Sequence, residues 1–230
     1  MKGYDTMPIL FGLTLIIIVF LSFSKSREKN AKKSSEEFWQ REHASMLVPR
    51  KDISSLNYIT IPYAALPFCY WTPGGDAPAQ LTADVSPDSE ELAAAEYTLC
   101  TLAESRIVNL TGISNTELRL TYGTANLEPL TVYDQNFTVL IRTLQKWGAL
   151  LASAERKADA VTVLSYAVSI GSDIAGTYAL LARLYKEQGE LSKIEELKVS
   201  AESLTTLMKP SILQDLEQLS APESLEELLK

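Results

Sequence analysis

The chain has 230 residues, 46% of them apolar, and a formal net charge of −8, which gives room for one globular domain plus attachments. The charge is uneven: residues 24–51 carry eight Lys and Arg against four Glu, whereas residues 52–230 carry 12 positive and 24 negative side chains. An acidic body excludes nucleic acid as its partner, and one histidine with two distant cysteines, Cys69 and Cys100, supplies neither a zinc ligand set nor a disulfide framework.

Residues 1–6 are a short tail. Met7–Phe23 is apolar throughout and uncharged. As a helix at about 1.5 Å per residue it reaches about 25 Å, near the lower limit for crossing a hydrocarbon core of about 30 Å. It reads as a transmembrane helix. A cleaved signal peptide is the rival reading, because Ser22-Phe23-Ser24 offers small residues at cleavage spacing. Only Lys2, offset by Asp5, precedes the apolar run, and the basic segment follows it. The positive-inside rule therefore predicts a single-pass membrane protein with a cytoplasmic C-terminal domain. Residues 24–51 form a basic juxtamembrane linker, with helix expected around Glu36–Met46. Its Lys and Arg residues can attract anionic headgroups at about 1 kcal/mol per nearby charge, and they serve equally as a solvated flank. Membrane lipid is thus the expected partner of residues 7–23 and of this flank.

Residues 52–85 change character. Asp52–Trp71 is rich in aromatic and aliphatic side chains, and Pro62 and Pro67 forbid a regular helix. An exposed segment of this composition would leave a large apolar patch, so it is expected to run extended along the helical domain. It packs either on the outer face and first helices or, in the sharper alternative, in the groove of the repeats. Pro73-Gly74-Gly75 turns the chain and Asp76–Val85 is loop.

Residues 86–230 read as helices. Ser86-Pro87-Asp88-Ser89-Glu90-Glu91 is a helix start, with the helix predicted to about Val108. Ser114 or Asn115 caps a second helix to about Asn126. Pro129 breaks the chain, and Asp134 caps a helix leading into Ile141–Leu204. There the same pattern occurs twice, displaced by 34 residues: LQKWGALLASAERKADAVTVLSYA from Leu144 and YALLARLYKEQGELSKIEELKVSA from Tyr178. Leu144 falls on Tyr178, Trp147 on Leu181, Gly148 on Ala182, Leu151 on Tyr185, Ala160 on Ile194 and Ala167 on Ala201. Large, small and large residues recur at helical spacing, and the small residue admits a neighbouring helix. Pro210 and Pro222 each start a short terminal helix.

This pattern resembles the tetratricopeptide repeat, a helix–turn–helix unit with a large-small-large signature in its first helix. The clearest copies span residues 141–172 and 175–206. Two features depart from it: Ser172 and Thr206 stand where the repeat-ending proline belongs, and Lys198 occupies an apolar position. The resemblance implies an all-α fold, an antiparallel helix-hairpin repeat solenoid behind a single N-terminal transmembrane helix. Flanking helices act as caps, because each unit buries its apolar face only against a neighbour.

Chemistry finds little support. The single histidine, His43, lies in the linker, and the acidic pairs Glu90-Glu91, Glu195-Glu196 and Glu226-Glu227 read as solvated helix surface. No glycine-rich nucleotide loop occurs, and no cofactor is implied. The sequons at Asn109 and Asn136 are read as chance. By the resemblance, Arg142, Gln145, Ala149, Ala179, Arg183 and Lys186 face an inner groove. Arg142, Gln145, Arg183 and Lys186 are the candidate partner-binding residues, suited to acidic side chains or a terminal carboxylate. The expected function is a membrane-anchored scaffold that binds a protein or peptide and has no enzymatic activity. The alternatives are an extracytoplasmic envelope assembly factor with the same domain and a carboxylate-based enzyme.

Overall fold

The structure is a computed structural model and describes residues 32–71 and 87–220. The expected membrane helix Met7–Phe23, the loop Asp76–Val85, the cap at Ser86 and the last helix after Pro222 lie outside the described residues. Among the described residues there are eight α-helices, two short 3-10 turns and no strand. The protein is all-α, as expected. No described helix is long and apolar enough to cross a membrane.

The chain forms two compact units. Within the described residues, the first unit holds residues 32–52 and Ser114–Leu127. Helix α1 covers residues 32–46, so the linker is helical over more of its length than expected. It is also docked. The Glu42 carboxylate accepts from the Arg119 guanidinium and the Thr116 hydroxyl, and the buried Ser45 hydroxyl accepts from Arg119 Nε at 3.0 Å. Buried Asn126 then ties the chain after α1: its amide donates to Lys51 O and Tyr122 O, each at 2.7 Å, and its oxygen accepts from Arg50 Nε.

The second unit holds Ile53–Ile113 and the chain from Glu128. Helix α2 is Pro87–Thr101, shorter than the expected run to Val108. The chain leaves it through consecutive turns to Ser105. Ile107 and Val108 then lie extended beside residues 58 and 59, with Ile59 N donating to Ile107 O at 2.9 Å and an antiparallel bridge joining Tyr58 to Val108. These β-branched residues gain more from extended pairing than from another helical turn.

Helix α3 is Asn115–Tyr122, in the first unit. Ser114 caps it through a reciprocal box with Glu117.

Helix α4 spans Leu127–Ser153. Two expectations fail here. Pro129 does not break the chain, because it lies in the first turn, where backbone N–H groups have no intrahelical acceptor to lose. Asp134 does not cap a helix; it sits inside α4 and accepts from Leu110 N at 3.1 Å, so its carboxylate anchors a loop instead.

Helices α5 (Lys157–Ser169), α6 (Ala175–Glu187) and α7 (Leu191–Glu202) follow. The recurrence is visible in the backbone. Helices α4 and α6 end at residues 153 and 187, and α5 and α7 begin at 157 and 191, each 34 apart. Each turn contains a left-handed residue at the same place, Glu155 with φ 61° and Gly189 with φ 75°. Each closes with the same bonds: Arg156 N to Leu151 O and Glu190 N to Tyr185 O, both 2.9 Å. This is a helix C-terminal cap that satisfies otherwise unpaired carbonyls. The aligned pairs Leu144/Tyr178, Trp147/Leu181, Gly148/Ala182, Leu151/Tyr185, Ala160/Ile194 and Ala167/Ala201 are all buried.

Ser172 stands where the resemblance would place a proline. It is fully buried, and its N–H donates to Ala167 O at 3.0 Å, a bond proline cannot make. Helix α8 (Lys209–Ser220) packs across α6 and α7 and buries Ile212 and Leu216 completely. Pro210 sits in its first turn, as Pro129 does in α4.

Candidate partner-binding site

The four residues singled out in the sequence lie on α4 and α6. Arg142 and Arg183 are exposed, and Gln145 and Lys186 are half-buried. Gln145 lies against the start of α6: a Cβ on Gly176 would lie 3.4 Å from its amide nitrogen. Arg142 borders a shallow cleft of about 240 Å³, where Arg142, Thr143 and Lys146 of α4 meet Ala94, Ala95 and Thr98 of α2. Lys146 Nζ is 3.0 Å from the Glu91 carboxylate, with both side chains more than half exposed, so the pair contributes little. Helix α2 therefore borders the α4 face near Arg142, which the repeat pattern did not foresee. Arg183 is not among the residues lining this cleft.

The aromatic segment is fixed by α2, α4 and α5. Glu96, fully buried in α2, accepts hydrogen bonds from the backbone N–H groups of Cys69, Tyr70 and Trp71 at 2.6–3.1 Å. A carboxylate collecting three amides is a charge-assisted clamp. Phe68 packs on Trp147 with ring centroids 4.9 Å apart, and Trp71 on Tyr97 at 4.7 Å. Tyr63 Oη donates to Leu99 O at 2.8 Å, and Tyr166 Oη of α5 donates to Thr60 O at 3.2 Å. Arg156, in the turn between α4 and α5, donates to Pro67 O and to Cys69 Sγ. Of the two placements expected for this segment, these contacts match packing on α2 and on the first hairpin.

Burial holds the tyrosines that make these bonds in their donor form. It pushes the Tyr63 hydroxyl up to about 12, with smaller contributions from Cys100, Tyr166 and Glu104, and it pushes Tyr166 to about 12 by itself. Tyr178, whose hydroxyl donates to Ser172 O at 3.0 Å, is pushed to about 12 by burial and then by Asp173.

Cys69 is exposed and Cys100 partly buried, both as free thiols. Both sequon asparagines are engaged. Asn109 donates to Ile170 O and Gly171 O, each at 3.3 Å, and Asn136 donates to Arg106 O at 3.0 Å. Asn136 sits within α4 rather than in a first helical turn. Among the described residues, no group of three or more His, Cys, Asp or Glu is placed to hold a metal.

Glu96 was missed in the sequence, although a signal existed: it lies four residues after Leu92 and three before Leu99, on the face that α2 buries. No protein-family model, curated protein or solved structure matches the chain.

Proposed function

We propose that the chain is a membrane-anchored scaffold whose short tetratricopeptide-like domain holds a protein or peptide partner by surface complementarity, with no chemistry of its own. The observation that carries this reading is the recurrence, at 34 residues, of helix ends, a left-handed turn residue and a buried large-small-large pattern. Such hairpins present helix faces rather than reactive groups. On those faces Arg142 and Arg183 offer exposed guanidinium groups in an otherwise acidic domain, suited to bidentate pairing with a partner's carboxylates. The anchor is Met7–Phe23, with the domain on the cytoplasmic side.

The test has two arms. A photo-crosslinker placed beside Arg142 and Arg183 in membranes should yield one discrete adduct, lost in R142E/R183E while the helical signal is retained. An adduct that survives both charge reversals rejects the proposed face. A C-terminal tag in intact cells should be protected from external label; labelling overturns the cytoplasmic placement and favours the extracytoplasmic assembly factor.

A further inference from the structure

We propose that the exposed aromatic pair Phe38–Trp39 of α1 beds in the headgroup layer of a membrane containing anionic lipid. The proposal rests on reading Met7–Phe23 as an anchor and adds a second, independent contact with the same membrane.

Helix α1 is not a slack tether. Glu42 and Ser45 bind it to Arg119 and Thr116 of α3, and the Thr124 hydroxyl donates to the carbonyls of Ser45 and Met46. Phe38 and Trp39 lie about one turn nearer the N terminus than these contacts and stay 56% and 59% exposed. Their rings pack edge to face at 5.5 Å, so the pair is a preformed aromatic surface. Met46 and Leu47, at the C-terminal end of α1, are also exposed. Ser35, Trp39, Glu42 and Met46 recur at helical spacing, so Trp39 continues, toward the N terminus, the stripe that Glu42 anchors.

Position and charge select lipid as the occupant. Residues 24–31 separate the apolar stretch from Lys32, the first described residue of α1, and eight residues span at most about 29 Å even fully extended. Lys32 is thereby held near the bilayer surface. That approach is basic: Lys25, Arg27, Lys29, Lys32 and Lys33 stand against Glu28, Glu36 and Glu37. Of the carboxylates of α1, Glu37 pairs with Lys33 at 3.8 Å and Glu42 with Arg119. Aromatic rings beside Lys and Arg, next to a membrane segment, are the composition that settles at the headgroup level.

The test uses the full chain reconstituted in phosphatidylcholine vesicles containing phosphatidylserine, with and without brominated acyl chains. The chain should float with the vesicles, and bromine should quench part of its tryptophan emission. W39F should abolish that quenchable part, whereas W71F should retain it; the third tryptophan, Trp147, is fully buried. Omitting phosphatidylserine should weaken the quenching. A chain that floats but shows no quenching, or W39F quenched like the wild type, overturns the bedding of α1 and leaves the aromatic face to a protein partner. Quenching indifferent to phosphatidylserine overturns the role of the basic residues. Failure to float overturns the anchor reading and this one with it.

Discussion

The two hairpins share a backbone but differ in how they fill it. In the first, Gly148 lets α4 approach α5 so closely that an added Cβ would lie 2.6 Å from both Cγ and Cδ2 of Leu164. In the second, Ala182 fills the small position and Lys198 stands where Leu164 does. Ala182 is fully buried, whereas the Lys198 head group reaches Glu195 and Ser220, each at 2.8 Å. The methyl missing from one helix is matched by a branched side chain on its neighbour. Where the methyl is present, the position equivalent to Leu164 holds a straight stem that carries its charge to Glu195 and Ser220. The covers differ in kind as well. The first hairpin is covered by a non-helical segment clamped through Glu96, and the second by α8, held through Ile212 and Leu216.

The largest expected effect comes from the cover that depends on polar contacts. Glu96→Ala leaves three N–H groups without their acceptor, at about 1–3 kcal/mol for each that stays buried. Roughly 3 kcal/mol or more should be lost, with rapid amide exchange at Cys69–Trp71 while α8 stays protected. Ile212→Ala should cost about 2–5 kcal/mol and free α8 while leaving the segment in place. Denaturant unfolding with hydrogen exchange checks both; simultaneous loss of both covers in either variant would show that the two ends are not separately held.

Next in size is the Gly148 contact. Gly148→Ala adds a methyl against Leu164, at about 1–3 kcal/mol for overpacking, partly offset by up to about 1 kcal/mol of helix propensity. The decisive measurement is the cycle with Leu164→Ala. Removing the branched side chain should relieve the clash, so the double variant should be more stable than the sum of the singles by about 1 kcal/mol or more. Additive behaviour rejects the close contact. In the second hairpin Ala182→Gly should simply cost about 1 kcal/mol of propensity, plus whatever the lost methyl contributed to packing.

The recurrence was legible because packing positions repeat with the backbone: a small residue between two large ones marks where helices approach. Lys198 broke the pattern in sequence but not in structure, since its charge escapes the position its stem occupies. What stayed hidden depends on long-range partners. Glu42 and Arg119 are 77 residues apart, and nothing local marks either as half of a pair that docks α1. Glu96 resembled surface charge, although its spacing from Leu92 and Leu99 places it inside. The unforeseen placement of α2 beside Arg142 has the same origin. Periodicity shows which face a helix buries, not which neighbour covers it, so a candidate face could be drawn from one helix but not bounded by the next.

The turn residues give a smaller, sign-reversing pair. Glu155 and Gly189 share the left-handed conformation, which costs a side-chain-bearing residue about 1–2 kcal/mol. Glu155→Gly should therefore stabilise the first hairpin by about 1 kcal/mol, and Gly189→Ala should destabilise the second by a similar amount. No atom lies within 4 Å of the Cβ that Gly189 would acquire, so the penalty there is backbone strain alone. If both changes move the thermal midpoint in the same direction, the two turns are not equivalent.

The smallest effect near neutrality is the ionisation of two half-buried tyrosines, Tyr63 and Tyr166, and of the buried Tyr178, which matters only in alkali. Tyr63, Tyr166 and Tyr178 are held up to about 12, against about 10 in an unfolded chain. Each hydroxyl donates to a backbone carbonyl, a bond that the phenolate cannot make. Because the folded-state values are raised, the stability they contribute is complete below about pH 10 and is lost as pH rises through about 12. Helical signal should thus persist while exposed tyrosines ionise and fall only as the last ones do. Tyr178→Phe tests the second hairpin, whose counterpart in the first is Leu144; Tyr166→Phe tests the hold of α5 on the aromatic segment. Each should remove one late-titrating group from the tyrosinate absorbance curve. A single ionisation near 10 for all ten tyrosines, with the helical signal intact, would show that these hydroxyls are not buried donors.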